Sequence, residues 1–318
     1  MYVDNLSSSF ARMNSQTNLK RQEPIAAVRA SKMSTYDYYQ LPVELVETIM
    51  ENHSNDVEVL AACSLVCRSL SDIARRFRFR EIRAGPRDLS GSVTESRSTS
   101  LLCNLTSTVL PYVRDLHLDA NEHFLAWANA TARARRIQIL DDILQRIRVD
   151  DLTMLDSLRV DYVMWHLLSA PSRLALQRLC RYITSIHIAY PYHGSSGILY
   201  PIPCSAIAQL LATAPSLQHF TLVLFPCNRV KLMEEEVSPH IRESLPKIMV
   251  LKSLKINDNS ASYLSHLPTF FPTIQLEELS ITSINGDSVK SLYTFLRSCA
   301  TTLESLTLNF NHVMGANG

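Results

Sequence analysis

The sequence is poor in the residues that most catalytic motifs require. Seven glycines are scattered over 318 residues, and none builds a P-loop or a dinucleotide-binding G-x-G-x-x-G. The ten histidines include no H-E-x-x-H pair. His193-Gly194-Ser195-Ser196-Gly197 lacks the G-x-S-x-G spacing of a nucleophile elbow. Asp141-Asp142 and Asp150-Asp151 are adjacent pairs, which on a helix point to different faces and do not converge. These gaps argue against an enzyme and against a cofactor. Long apolar runs are also missing, which argues against a spanning helix. No apolar block stands ahead of a small-residue cleavage site, so secretion is not expected. Nor is there an excess of one charge: Lys+Arg 31 against Asp+Glu 30 leaves a net of +1. That balance supplies no global field for nucleic acid.

Cysteine is present but unpatterned. Seven cysteines, an odd number and widely spread, suit free thiols in a reducing compartment, hence the cytoplasm, the nucleus or both. Cys63 and Cys67 lie one helical turn apart, but no second Cys/His pair stands at zinc-finger spacing. Core packing on the apolar stripe is the reading for both, with no metal.

What the chain does have is apolar content, 46%, enough for a sizeable core. Its distribution divides the chain. Residues 1–39 carry few large apolar side chains and many Ser, Asn, Gln and Arg, the composition of a disordered tail. From Leu41 the pattern turns helical. Pro42 suits the first position of a helix, and Leu45, Val46, Ile49 and Met50 recur at helical spacing. His53-Ser54 breaks that helix, and Asn55 with Glu58 is a capping-box-like start for the next. Val59, Leu60, Cys63, Val66, Cys67, Leu70, Ile73, Ala74 and Phe77 continue the period, as two short helices kinked around Ser64. Arg75, Arg76, Arg78 and Arg80 crowd the C-terminal end, where the helix dipole favours positive charge.

The order LP-x-EL-x-x-x-I, a short loop, L-x-x-C-S-L-V-C-R and an aromatic-arginine exit strand resembles the F-box. The resemblance runs from Leu41 to Ile82. Where that family often carries tryptophan, this chain has Leu70. The resemblance implies binding of a Skp-family adaptor, and through it of a cullin-RING ubiquitin ligase. It places the adaptor contacts on Leu41, Pro42, Leu45, Ile49, Leu60, Leu65, Val66 and Leu70. Independently of the resemblance, a unit this small cannot bury all of its apolar side chains, and burying each is worth about 1.5–3 kcal/mol.

Beyond Ile82 the pattern changes again. Gly85 to Thr99 is polar and loop-like. Then a unit, apolar-x-x-apolar-x-apolar, recurs seven times with its middle residue at 116, 158, 186, 220, 254, 279 and 306. Helix-like stretches fill the gaps at 98–109, 124–147, 205–214 and 287–297. Within the second, Ile137, Leu140, Ile143, Leu144 and Ile147 share one side. Self-similarity at this period marks a solenoid of stacked units. Tyr190 to Pro203 and Arg229 to Pro246 interrupt the rhythm as long connections.

Each unit resembles a leucine-rich repeat, and the copies ending at Asn121, Asn259 and Asn311 carry the fuller L-x-x-L-x-L-x-x-N. The expected architecture is α/β: an N-terminal three-helix F-box (40–82), then an irregular leucine-rich-repeat solenoid (83–318) with parallel strands on the concave face and helices on the convex one. The residues between the apolar ones should then be solvated and offer contacts to an unknown substrate protein. They are His117, Asp119, Arg159, Asp161, His187, Thr221, Lys255, Asn257, Ser280, Thr282, Thr307 and Asn309, with Arg114, Asp115 and His219 beside them. The chain would be a non-catalytic substrate receptor. The alternative is a repeat scaffold whose F-box-like helices only cap the solenoid.

Overall fold

The repeat triplets become the parallel strands of one sheet in the computed structural model. It describes residues 41–89, 92–95, 97–104, 106–120, 130–190, 202–224, 238–258, 263–284 and 289–310. The 1–39 tail, the loop residues 191–201 and Asn121, Asn259 and Asn311 lie outside the described residues. The chain divides into two units, Met1–Pro42 and Val43–Gly318. Of the first, only Leu41 and Pro42 are described, and both are exposed.

The second unit opens with three helices: α1 (Val43–Asn52), α2 (Val57–Val66) and α3 (Arg68–Arg78). The start of α2 differs from the expected capping box. Asp56, not Asn55, is the N-cap, and its carboxylate accepts the amides of Glu58 and Val59 at 3.1 and 3.0 Å. The break between α2 and α3 also falls later than Ser64. Cys67 adopts extended backbone, φ −157°, and separates the two helices. In that position Cys67 is exposed, not packed in the core as its place on the stripe suggested, while Cys63 is half-buried.

After α3 the chain enters β1 (Glu81–Ala84), then β2 (Pro86–Leu89) and β3 (Ser92–Glu95), which pair antiparallel where a loop was expected. Helix α4 (Arg97–Cys103) and β4 (Asp115–Asp119) follow. From here helices and strands alternate: α5 (Ala130–Arg146), β5 (Ser157–Asp161), α6 (Ala170–Leu179), β6 (Ser185–Tyr190), α7 (Cys204–Ala212) and β7 (His219–Leu224). The series ends with α8 (Pro239–Ser244), β8 (Met249–Asp258), α9 (Leu267–Phe270), β9 (Ile274–Ile284), α10 (Val289–Cys299) and β10 (Ser305–Phe310).

Eight strands form one open sheet in the order β1-β4-β5-β6-β7-β8-β9-β10, every pair parallel. Each new strand adds beside the previous one. Crossovers of a single hand, advancing in one direction, collect their helices on one face of such a sheet.

The register is the one implied by the triplets. Leu116, Leu158, Ile186, Phe220, Leu254, Leu279 and Leu306 are direct partners across the sheet. Ahead of β4 to β7, and inside β8, a second ladder runs through the backbone. The amide of Arg114 donates to the carbonyl of Arg80, Asp156 to Arg114, Thr184 to Asp156, Gln218 to Thr184 and Lys252 to Gln218, at 2.7–2.8 Å. These bonds hold the strand starts level, so any side chain at a given place in its strand shares a row with its counterparts.

Apolar residues of the strands and of α5, α6, α7 and α10 fill one continuous core. Ile137, Leu140, Ile143, Leu144 and Ile147 all face into it. Phe220, Phe271 and Phe295 meet within it at steep angles, edge-to-face and tilted, with ring centroids 6.4 and 6.2 Å apart. The seventh triplet departs from expectation. Leu306 is 46% exposed, because β10 is the edge strand and, among the described residues, has no neighbour on its outer side. A second, separate cluster holds the three helices together: Met50, Leu60, Ile73 and Ala74, with Val46, Cys63, Leu70 and Phe77 packed around it. Among the described residues no helix is long and apolar enough to cross a membrane.

Candidate functional site

Two surfaces collect the residues that the sequence singled out. The first is the outer face of the three helices. Helix α1 carries two apolar stripes at i, i+4 spacing. Val46 and Met50 turn inward to the small core, while Leu45 and Ile49 on the other stripe stay exposed. At the end of α2 the extended Cys67 cuts the helix short, and Leu65 and Val66 on its last turn are 84% and 70% exposed. Val43 and Val57 add to the exposed apolar area.

Two of the sequence-predicted contacts lie elsewhere. Leu60 is fully buried and Leu70 is packed against the same cluster. Leu60 sits on the inner stripe of α2 and builds the core of the unit, and Leu70, half-buried on α3, packs against that core. A salt bridge from Arg76 to Glu47, 2.9 Å, ties α3 to α1.

The second surface is the polar face of the sheet. The strand register places Arg83, His117, Arg159, His187, Thr221, Lys255, Ser280 and Thr307 in one row. One pleat further along lie Asp119, Asp161, Ala189, Val223, Asn257, Thr282 and Asn309. Arg159, Lys255, Thr307 and Asn309 are exposed, and Asp119, His187, Thr221, Asn257, Ser280 and Thr282 are half-buried.

His117 and Asp161 contradict the expectation of a solvated row: each is only 5% exposed. The reason is their pairing. His117 Nε2 lies 2.8 Å from Asp161 Oδ2, and Arg159 Nε donates to the same oxygen at 2.8 Å. A buried carboxylate is tolerated when it is paired and hydrogen-bonded in this way. Burial pushes the Asp161 carboxyl up, but the His117 bond and the charges of His117 and Arg159 outweigh it and hold it below its usual value. Its second oxygen, Oδ1, is buried without a hydrogen-bond partner, a costly state for a charged group.

Strain lies next to this pair. Tyr162, directly after β5, has φ of 60°, a conformation rare for a bulky side chain and costing about 1–2 kcal/mol. Its amide donates to the carbonyl of Ala189 at 2.9 Å, which joins the end of β5 to β6. His187, on the neighbouring strand, is held below the usual imidazole value by burial first. Arg159 and His117 act in the same direction, and Asp161 opposes them.

Two participants escaped the sequence reading. Arg83 completes the row because β1 belongs to the sheet. Its signal was available, since Ile82-x-Ala84 repeats the apolar-x-apolar of the later strands. Tyr162 had no local signal: a positive φ arises from the chain reversal after β5 and not from residue type. Among the described residues no group of three or more His, Cys, Asp or Glu is placed to hold a metal ion. Neither a family model nor a curated protein matches the sequence.

Proposed function

We propose that this chain is a non-catalytic substrate receptor of a cullin-RING ubiquitin ligase. In this reading residues 40–82 are an F-box that binds a Skp-family adaptor. Residues 83–318 form an irregular leucine-rich-repeat solenoid, with its strands on the concave face, that holds the protein to be ubiquitinated. The observation that carries it is the unburied apolar face of α1 and α2, with Leu45, Ile49, Leu65 and Val66 open to solvent although a three-helix core lies beneath them. Covering each is worth about 1.5–3 kcal/mol, and exposed apolar patches mark interaction surfaces. Leu41 and Pro42 keep the roles that the F-box resemblance gives them, whereas Leu60 and Leu70 act through the core of the unit.

One observation favours the second reading, a scaffold whose helices merely cap the sheet. Helix α3 runs into β1, and β1 is the first strand of the sheet. Co-purification with a Skp-type adaptor separates the two readings. A stoichiometric complex that Leu65→Asp/Val66→Asp abolishes supports the receptor. A folded chain that captures no adaptor supports the scaffold.

A further inference from the structure

We propose that the sheet face over β1, β4, β5 and β6 binds an acidic segment of a partner protein through Arg83, Arg159 and His187. The inference rests on the receptor reading only in taking that partner to be the protein the sheet holds. Arg83 pairs in register with His117, His117 with Arg159, and Arg159 with His187. Adjacent strands lie about 4.8 Å apart, so four nitrogen-bearing side chains stand in one line roughly 14 Å long.

Asp161 organises this line without cancelling it. Its one bonded oxygen is shared between His117 Nε2 and Arg159 Nε, each at 2.8 Å, and the carboxylate is buried. Arg159 is thereby anchored by its inner nitrogen. Its two terminal nitrogens make no hydrogen bond among the described residues, and its side chain is 50% exposed. A guanidinium fixed at one edge and open at the other is suited to a bidentate bond with a carboxylate.

His187 likewise makes no hydrogen bond among the described residues and stands half-buried beside Arg159 in the row; burial first, then Arg159 and His117, hold its imidazole below the usual value, with Asp161 opposing. The nearest carboxylate in the preceding row, Asp115, is taken up by Arg80 at 3.5 Å, and Glu81 beside it is exposed on the outermost strand. Across the rest of the row the capacity is gone. Lys255 is already paired to Glu278 at 3.5 Å, and Thr221, Ser280 and Thr307 are uncharged. Arg83 and Arg159 are two strands apart, about 9.6 Å. Same-face carboxylates on an extended peptide stand two or four residues apart, about 7 or 13 Å, and bracket that spacing within the reach of the long arginine side chains.

The test titrates the full chain with a short fluorescent Asp/Glu-rich peptide and with its Asn/Gln counterpart, by anisotropy, at low and high salt. The acidic peptide should bind, the amide peptide should not, and salt should weaken the binding. Arg159→Gln and, separately, Arg83→Gln should each raise Kd by about tenfold, while Arg242→Gln on α8 should leave it unchanged. Arg83 takes no part in the Asp161 pair, so its variant keeps the test meaningful if Arg159→Gln perturbs the fold. Equal binding of the two peptides, or unchanged Kd in both arginine variants, overturns the proposal. Adaptor capture is measured on the same preparations. Capture without peptide selectivity sinks this inference alone, and selectivity without capture counts against the receptor reading alone.

Discussion

The three helices and the sheet come from comparably apolar stretches of chain, yet they treat their apolar side chains in opposite ways. In the sheet the interior strands have a neighbour on either side and helices packed on their apolar face, so six of the seven repeat triplets are buried. The helices enclose only Met50, Leu60, Ile73 and Ala74, with four more residues around them, and leave Leu45, Ile49, Leu65 and Val66 outside. The contrast is geometric. A stacked array gives every interior strand a neighbour on either side and a continuous core under its apolar face, whereas a short helix carrying apolar residues all round can turn only one side to a small core. Where the array stops, at β10, it behaves like the helices: Leu306 and Phe310 are exposed.

The comparison can be broken most forcefully in the sheet. Phe271→Ala removes a fully buried ring lying between Phe220 and Phe295. It should cost about 3–5 kcal/mol, read as a fall in the denaturant midpoint for the whole sheet. Leu60→Ala should cost about 2–5 kcal/mol. Because the two clusters are separate, hydrogen exchange should quicken in α1–α3 and not in β5–β9. Equal acceleration everywhere would show that the two cores unfold as one.

Gly85→Ala tests the joint between the regions. A Cβ there would meet the backbone oxygen of Asp119 at 1.9 Å, so β1 must draw away from β4, at an expected cost of about 1–3 kcal/mol. Thermal unfolding of the variant gives the answer.

Acid should act on the sheet face. The Asp161 carboxyl is held down in the fold, so its stabilisation is present above the ordinary carboxylate value and is lost as pH falls through the folded value. His187 is also held down. Its contribution is present above the ordinary imidazole value and is lost as pH drops from there through its lower folded value. Stability should thus decline on acidification in two steps, and His187→Gln should shrink the upper one, to which His166, also held down by burial and then Arg173, contributes, in a pH series of denaturant melts. The smallest effect is expected at Leu65. Exposed as it is, Leu65→Ser should change stability by no more than about 0.5 kcal/mol while, in the receptor reading, weakening adaptor capture.

Much of this arrangement could be read from spacing. The seven triplets, their phase to the intervening helices and the inward stripe of α5 rest on period alone, and period survives folding because side-chain direction follows backbone geometry. The boundaries at Asp56 and Cys67 could not be read, since several polar residues competed for the same cap. The β2–β3 hairpin was hidden by its polar composition. The candidate contacts were legible as rows but not as surfaces: His117 and Asp161 look like any solvated strand residue until the register sets them 2.8 Å apart.

By itself, the sequence determined which residues face one another's rows and that the chain is a serial α/β array behind three short helices. Both follow from local periodicity and chain connectivity. Only the tertiary structure decided which members of those rows meet water. Leu60 went inside and Leu65 outside, Asp161 inside and Arg159 halfway out, because exposure depends on what packs across from a residue, and that partner can be far away in the chain.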